Sequence, residues 1–287
     1  MNYKSGAIWS VAPDVTAFPF TLIDGAVNAY HVHLSMRTAG VRRKTFSYPG
    51  ADGGVDKGYT LDPLRMVWEL FVKADTESAF ETKRENIYRL FKPFDSAIKI
   101  RCDLVGLGPL REIDAIVDGP VDFQQSKQLG FSALVRVPLY APNGLWHSTS
   151  EVIETSTLPG SSMIVAYSGN YMGWPVIEIV GQVTDLVLTT TLATAYRTET
   201  SVIKLIGTTV ADGDTYVIDM RGSVKRAYGT SPAINRIDKL VDPSWLNFKL
   251  HPIPIEYEGY NVVNYTYASK NANARVRFRF YNQYIGY

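Results

Sequence analysis

Apolar and polar residues alternate along most of the chain, which is the spacing of β-strands. In residues 64–72 every even position is apolar, and these residues are Leu64, Met66, Trp68, Leu70 and Val72. A period of two places them on one face of a strand, so this segment is predicted to bury that face. Residues 98–104, 111–117 and 131–140 alternate in the same way and are bounded by Gly, Pro or Asp-Gly. The sequence therefore predicts a mainly β protein.

The period changes once, after residue 77. Apolar residues then recur at helical spacing, at Phe80, Ile87, Leu90 and Phe91. The run that begins at Ser78 reads Ser-Ala-Phe-Glu, which is a capping-box signature, and Pro93 ends the pattern. One α-helix over about residues 78–92 is therefore predicted, packed on an otherwise β domain.

The patterns divide the chain into two domains, and 287 residues are enough for both. Residues 1–147 are predicted to form a β domain with the one helix. Residues 148–162 are rich in Ser and Thr and lack a sustained apolar period, which predicts a linker or an extended arm. Residues 163–287 contain short alternating runs, which favours a β-sandwich. Its predicted turns are Asp212-Gly213, Arg221-Gly222 and Glu258-Gly259.

A glycine-rich segment interrupts the first domain. Residues 49–63 read PGADGGVDKGYTLDP and contain four glycines, which predicts a long and permissive loop. Loops of this length are often functional. The spacing of a phosphate-binding loop is absent, because no Lys-Ser/Thr pair closes the segment.

Composition narrows the classes of protein to which the chain can belong. Hydrophobic residues make up 46%, with 18 Tyr, 12 Phe and 5 Trp, which is typical of an aromatic-rich globular protein. The net charge of +1 gives no field that would attract nucleic acid or an anionic membrane. Cys102 is the single cysteine, which excludes an internal disulfide, and its place in an alternating run predicts a buried strand residue. The N-terminus lacks a secretory pattern, so we expect assembly in the cytoplasm.

Residues with catalytic or metal-binding chemistry are few and scattered. His31 and His33 are predicted to lie on one face of a strand, but a metal site normally has three or four protein ligands and no third is evident. Two carboxylate pairs, Asp114 with Asp118 and Asp212 with Asp214, would need a defined separation in a cleft to act as a glycosidase, and the hairpin turn explains the second pair. No catalytic, metal or cofactor site is predicted.

Three arginines alternate with apolar residues near the end of the chain. Arg275, Arg277 and Arg279 are separated by Val276 and Phe278. Arginines in this pattern are typical of a solvated or subunit-contacting face, and the neutral net charge argues against nucleic-acid recognition.

The order of these features resembles the distal tail protein family of long-tailed phages over nearly the whole chain. The most specific pieces are Trp174-Pro175 with Gly181, the Ile218-Asp219 strand and Trp245 before the closing segment. The resemblance implies an N-terminal β-sandwich or split barrel with one helix and a C-terminal galectin-like β-sandwich. It also implies a structural, non-enzymatic virion component without a cofactor.

Family members form a hexameric ring that joins the tail tube to the tail-tip hub and fibres. The partners implied are other copies of this chain, the tail tube protein, the hub protein, the tape measure and receptor-binding or fibre proteins. The family's usual Pro-Gly turn before the last strands is replaced here by Pro252-Ile253-Pro254 and Glu258-Gly259, and no large insertion is present. The resemblance thus implies a connector rather than a direct receptor binder.

The hypothesis for the contact surface with neighbouring subunits or the hub rests on the glycine-rich segment of residues 49–63, the arm of residues 148–162 and the arginine strand. The alternative function is a carbohydrate-binding, host-adhesion module of a tail tip, and a third possibility is a tail-tip hydrolase. The residues of the contact hypothesis are Gly53, Gly54, Asp56, Lys57, Arg275, Arg277 and Arg279.

Overall fold

A computed structural model of the chain describes most of its residues. These are residues 7–12, 21–23, 30–36, 40–46, 55–92, 97–104, 109–125, 130–158, 162–193, 198–221, 225–230, 237–241, 243–252 and 261–285. The chain divides into two compact units, Met1–Thr149 with Ile285–Tyr287, and Ser150–Tyr284. The strands of both units pair in antiparallel sheets, which confirms the predicted mainly β fold.

The first unit contains eleven described strands and one helix. The strands are β1 (Ala7–Ala12), β2 (Thr21–Leu22), β3 (Tyr30–Met36), β4 (Val41–Phe46), β5 (Val55–Leu61), β6 (Leu64–Lys73), β7 (Ile98–Leu104), β8 (Arg111–Val117), β9 (Asp122–Gln125), β10 (Ser132–Ala141) and β11 (Trp146–Ser148). Helix α1 spans Glu77–Leu90.

Strand β6 lies between β10 and β3 in the main sheet of the first unit. The strand order is β2-β1-β7-β8-β10-β6-β3, with β9 paired to β10 and β11 paired to β8. Leu64, Met66, Trp68, Leu70 and Val72 are all buried, as the alternation predicts. The ring of Trp68 meets that of Phe91 edge-on, with centroids 5.7 Å apart and an interplanar angle of 80°. The segment that follows β6 therefore packs against the buried face of this sheet.

Helix α1 is confirmed, but its N-cap is not the predicted one. The N-cap is Thr76, whose hydroxyl accepts a hydrogen bond from the backbone N–H of Ala79 at 3.2 Å. Ser78 lies inside the first turn, so the predicted capping box is wrong by two positions. An N-cap residue has non-helical backbone angles, and Thr76 is extended, so its hydroxyl can reach the first free N–H groups of the helix. Ser78 is already part of the helix and cannot take this position.

The predicted loop over residues 49–63 is wrong in its second half. Residues 55–61 form β5, which pairs with β4 in a two-stranded sheet, here called the ribbon. The register shifts between Arg43, opposite Tyr59, and Thr45, opposite Asp56, and this bulge lets the strand include Gly58. Gly53 and Gly54 lie outside the described residues.

The second unit contains thirteen described strands and two short 3-10 helices. The strands are β12 (Val152–Thr157), β13 (Ser162–Val165), β14 (Val176–Val180), β15 (Val183–Thr184), β16 (Val187–Ala193), β17 (Thr198–Lys204), β18 (Thr209–Val210), β19 (Thr215–Asp219), β20 (Arg226–Gly229), β21 (Asn261–Thr266), β22 (Ser269–Lys270), β23 (Arg275–Phe280) and β24 (Gln283–Tyr284). The 3-10 helices are Ile237–Lys239 and Pro243–Asn247.

Two sheets of the second unit form a sandwich, as predicted. One has the order β12-β23-β14-β19-β20 and the other β13-β21-β16-β17, and a small third sheet has the order β18-β15-β22. Ile177 and Phe278 from the first sheet and Leu188 and Val263 from the second are fully buried in one core cluster. Burial of such apolar area is the main force that holds two sheets face to face.

The predicted linker is wrong at residues 152–157. These residues form β12, which pairs with β23 over its whole length, from Val152 opposite Phe280 to Thr157 opposite Arg275. The segment lacks an apolar period because β12 lies at the edge of its sheet, where neither face is fully buried. Its Thr and Ile residues still favour an extended strand.

A buried tyrosine fixes the segment that leads into β14. The Tyr167 hydroxyl donates to the carbonyl of Tyr171 at 2.7 Å and accepts from the N–H of Gln283 at 2.9 Å. A Cβ on Gly173 would lie 2.7 Å from Tyr167 Cε2, so only glycine fits there without movement. Tyr167 therefore ties the start of this segment to the last described strand.

The residues on which the family resemblance rests lie in the core and the turns of the second unit. Trp174 packs on the core, and Pro175 accepts a hydrogen bond at its carbonyl from Met220 N–H at 3.1 Å. Gly181 has a φ of 81°, which favours glycine, and a Cβ there would meet the carbonyl oxygen of Asn273 at 2.9 Å. Trp245 is buried in the same core. All four residues thus have a structural place in the second unit.

Candidate functional site

The two strand histidines lie in β3, which pairs with β6. A β-bulge between them shifts the register, so that His31 lies opposite Leu70 and His33 opposite Glu69. The extra residue breaks the alternation, and the prediction that both lie on one face is wrong. The His33 side chain is exposed. Among the described residues, no group of three or more His, Cys, Asp or Glu side chains is placed to hold a metal ion.

The second carboxylate pair has a structural role. Asp214 is buried, and its Oδ1 accepts from Thr215 N–H at 2.8 Å and from the Thr230 hydroxyl at 3.3 Å. Asp212 Oδ1 accepts from Asn271 Nδ2 at 2.7 Å. Both carboxylates stabilise the turn around Gly213, which has a φ of 81°. This confirms that the turn explains the pair.

The first carboxylate pair is divided between two environments. Asp114 lies 3.4 Å from Lys99 Nζ and 3.9 Å from His147 Nε2, on the polar face of β7 and β8. The backbone N–H of Asp118 donates to the carbonyl of Pro138, and its side chain is exposed. The neighbouring Glu112 is buried and accepts from Arg101 Nε at 3.0 Å. Asp114 and Glu112 therefore lie beside basic side chains of the same sheet face, and Asp118 is not part of this group.

Cys102 is buried, as its alternating run predicts, with 1% of its surface exposed. Burial raises the pKa of its thiol to about 12 and outweighs the opposing effect of Arg111. The thiolate is the nucleophilic form of cysteine, so this side chain is unreactive in the folded chain.

Two of the three predicted arginines are held in a network of ion pairs on the outer face of the five-stranded sheet. Glu178 accepts from Arg277 Nη1 at 2.8 Å and from Arg279 Nη1 at 2.7 Å. Arg279 also donates to Glu151 Oε2 through Nε at 2.9 Å and Nη2 at 2.7 Å. Arg221 Nη1 donates to the other oxygen of Glu151 at 3.0 Å. The network joins β14 and β23 to the residue just before β12.

Arg275 is in a different position from the other two. It lies at the start of β23, opposite Thr157 and Val180, and its side chain is exposed. The structure thus brings together only Arg277 and Arg279 from the predicted set. Sequence reasoning missed their partners Glu151 and Glu178. The available signal was Glu178 itself, a single carboxylate inside the apolar run Val176–Val180.

The glycine-rich segment ends beside a groove in the first unit. Asp56 and Lys57 lie in β5, where Asp56 is opposite Thr45. At the base of the ribbon, Arg42 Nε lies 2.5 Å from Asp62 Oδ1. Both residues of this ion pair line an open groove of about 760 Å³. The groove is lined by Ser35, Gly40, Pro63, Leu64, Arg65, Met66, Val67 and Tyr140 in addition to the ion pair.

Trp174 and Lys225 lie close together in the second unit. Trp174 is half-buried, and Lys225 Nζ lies 5.5 Å from its ring centroid while donating to the carbonyl of Met220. Burial lowers the pKa of Lys225, and Asp219 opposes this effect.

The helix of the described residues is too short and too polar to cross a membrane.

Comparison with known proteins identifies the kind of protein that this chain resembles. Residues 27–129 match the family model described as a phage tail protein RIFT-related domain. No curated protein matches the chain in a sequence search.

Solved structures match over almost the full length. The crystal structure of the Dit protein of phage SPP1, described as a paradigm of the hub adsorption apparatus in phages that infect Gram-positive bacteria, has 15% sequence identity and a TM-score of 0.64. The match covers 96% of this chain and 98% of that chain. Chains of the phage P2 baseplate in its activated conformation, with Ca and with Sr, have 7% identity and a TM-score of 0.44 over the same shares of each chain. The match with the SPP1 Dit protein confirms the resemblance to distal tail proteins at the level of the fold.

Proposed function

We propose that this chain, which has the fold of a phage distal tail protein, is a structural component of a phage tail tip. In this role it forms a hexameric ring that connects the tail tube to the hub and the receptor-binding apparatus. The observation that carries the proposal is the agreement of fold along nearly the whole of both chains. The phage tail family match over residues 27–129 supports it independently, because it rests on sequence.

The chemistry of the described residues is consistent with assembly. Asp212, Asp214, Glu151 and Glu178 accept hydrogen bonds from neighbouring groups of the chain, and the cysteine is buried with a raised pKa. A ring subunit must bury surface against its neighbours, and near-neutral charge with many aromatic residues suits that requirement.

We place the subunit contacts on the ribbon and on Arg275. Asp56 and Lys57 lie in the ribbon, and Gly53 and Gly54 precede it. Arg275 is exposed at the end of the second unit's sheet. Arg277 and Arg279 were also predicted to contact a neighbouring subunit, and that contact remains a prediction. Their bonds to Glu178 and Glu151 reduce what they can offer a partner.

Native mass spectrometry of the purified chain tests the ring. The expected result is a hexamer as the largest abundant species, which dissociates as salt or dilution increases. A double charge reversal, Asp56→Lys with Lys57→Glu, should lower the hexamer fraction without unfolding the chain, and Asp238→Lys on an exposed 3-10 helix is the matched control. A chain that stays monomeric, both alone and with its tail tube protein, contradicts the proposal.

The carbohydrate-binding alternative predicts a different outcome in a separate assay. A glycan array probed with the full chain should remain unlabelled under the proposed function. Specific labelling by a monomeric chain supports the alternative instead.

A further inference from the structure

We infer that residues 151–157, which we call the strap, detach from the edge of their sheet while the rest of the sandwich stays folded. The strap consists of Glu151 and strand β12, and Glu151 is the latch that holds it closed. The second unit begins at Ser150, so the strap is the first segment of this unit. It works within the second unit, whether or not copies of the chain form a ring.

Strand β12 adds little apolar surface to the core of the sandwich. Its six residues alternate between half-buried and exposed. The half-buried side chains are Val152, Glu154 and Ser156, and two of these three are polar. Burial of apolar area is the main force that holds a strand on a sandwich, so β12 is held by less of this force than a strand with buried residues.

The other three edge strands of the sandwich each contain a buried residue. Strand β13 buries Met163 and Val165. Strand β17 buries Ile203, and strand β20 buries Ala227. All six residues of β12 are described, and none of the six is buried. Local opening requires least free energy where few apolar contacts are lost, and this assigns the opening to β12 among the four edges.

Ion pairs hold the start of the strap. Glu151 Oε2 accepts from Arg279 Nε at 2.9 Å and from Arg279 Nη2 at 2.7 Å. Glu151 Oε1 accepts from Arg221 Nη1 at 3.0 Å. The Glu151 side chain is only 16% exposed, so water and salt screen these pairs less than they screen pairs at the surface. Glu151 therefore ties the strap to β23 and to the residue that follows β19.

The other end of the strap is fixed by burial. Leu158 is fully buried, and its N–H donates to the carbonyl of Ala274 at 3.0 Å. Between the two ends, the Ser156 hydroxyl bonds to the hydroxyl of Tyr265 at 2.8 Å, and water can replace this neutral bond. The strap therefore opens from its Glu151 end, and Leu158 stops the opening.

Release of the strap changes what the arginines bind. Arg279 keeps its bond to Glu178, and Arg221 keeps its bond to Asp219. Both arginines lose Glu151, and the edge of β23 loses its neighbouring strand. The open state therefore offers to another carboxylate the guanidinium donors that Glu151 occupies in the closed state.

Residue-resolved hydrogen exchange of the full chain tests the strap. An antiparallel strand directs its N–H groups alternately to its two neighbours, so β23 has one set of amides that faces β12 and another that faces β14. Release of the strap alone exposes the set that faces β12 and leaves the other set protected. The expected result is exchange at least about tenfold faster in the set that faces β12 than in the set that faces β14.

A change of one charge tests the latch. Glu151→Gln should accelerate exchange in the set that faces β12 by about tenfold, because Arg279 and Arg221 lose their shared carboxylate. The set that faces β14 should not change. The matched control is Glu154→Gln in the middle of the same strand, which should alter both sets by less than about twofold.

Salt provides a test on the natural chain, without a substitution. At about 1 M salt the Debye length falls to about 3 Å, which should weaken the latch and accelerate exchange in the set that faces β12 alone. Equal exchange of the two β23 sets in the natural chain overturns the strap. An equal effect of Glu151→Gln and Glu154→Gln, or an effect of Glu151→Gln on both β23 sets alike, overturns Glu151 as its latch.

Discussion

Arg279 donates a hydrogen bond from Nη1 to Oε1 of Glu178 at 2.7 Å, across the neighbouring strands β23 and β14. Glu178 lies inside an apolar strand and is buried, so its charge would be costly there without a partner. The hydrogen bonds to Glu178 and Glu151 raise the pKa of the Arg279 guanidinium, which stays charged at every working pH. The ion pair with Arg279 therefore offsets the cost of burying the Glu178 carboxylate in a central strand of the five-stranded sheet.

Replacing Glu178 with glutamine should destabilise the second unit. Glu178→Gln leaves Arg277 and Arg279 without the carboxylate that binds both, and we expect the free energy of unfolding to fall by about 1–3 kcal/mol. Urea denaturation measures the change. The control is Glu154→Gln on β12, which should alter stability by less than about 0.5 kcal/mol. Equal effects at both positions would mean that the network does not stabilise the sheet.

Removing the N-cap hydroxyl should weaken the start of α1. Thr76→Ala deletes the acceptor for the Ala79 N–H and should cost about 1 kcal/mol. Ser78→Ala is the matched control, because the Ser78 hydroxyl is the one that the sequence pattern, and not the structure, places at the cap. Hydrogen exchange of residues 76–92 measures the effect. Faster exchange in the Ser78→Ala chain than in the Thr76→Ala chain would contradict Thr76 as the N-cap and support Ser78, the residue predicted from sequence.

The spacing of apolar residues predicted a strand or helix correctly where no other sequence feature pointed to a different structure. The strand at residues 64–72 and the helix at Phe80, Ile87 and Leu90 are confirmed, because burial of one face fixes both periods. The N-cap and β5 were missed where two signals competed. Thr76 and Ser78 are both good caps, and only backbone angles decide between them. The glycines of residues 49–63 led to the prediction of a loop, whereas residues 55–61 form β5 by pairing with β4.

The charged network was beyond sequence reasoning for a different reason. Glu151, Glu178 and Arg279 are far apart in the chain, and their contact depends on the strand register. A sequence gives the alternation of Arg277 and Arg279 but not which strand lies beside them. The arginines were therefore predicted to face solvent or a subunit, whereas two of them bind carboxylates of their own chain.

Adding one methyl group at Gly173 should destabilise the second unit through Tyr167. The three atoms nearest to a Cβ on Gly173 all belong to that tyrosine, at 2.7, 2.8 and 2.9 Å. Gly173→Ala should cost about 1–3 kcal/mol, because the buried ring is held by two hydrogen bonds and cannot move away freely.

A double-mutant cycle with Tyr167→Leu assigns this cost. If the clash is with the ring, the double variant should lose less stability than the sum of the single variants, by at least about 1 kcal/mol. Urea denaturation of the four chains measures the coupling. Additive losses would show that Gly173 is required for some other reason.

The raised pKa of Cys102 predicts a loss of stability in alkaline solution. The thiol has an ordinary value of 9.0 and a folded pKa of about 12, so the folded chain keeps its proton over a range in which the unfolded chain loses it. The stabilisation is complete below about pH 9 and is lost as the pH rises toward 12. The decline should approach about 1.4 kcal/mol per pH unit.

The Cys102→Ala chain isolates this contribution from other groups that titrate in the same range. Its free energy of unfolding should fall less steeply above about pH 9 than that of the natural chain. In addition, the native thiol should react with a disulfide reagent near pH 8 only after unfolding. Parallel pH profiles of the two chains would place the folded pKa close to its ordinary value.

The location of the chain in a virion tests the central claim most directly. Phage particles that encode this chain can be labelled with gold-conjugated antibodies raised against it and imaged by negative-stain electron microscopy. A tail-tip connector predicts gold at the end of the tail distant from the capsid, on most particles. Particles that remain unlabelled, or gold distributed along the tail shaft or on the capsid, would contradict a tail-tip role for this protein.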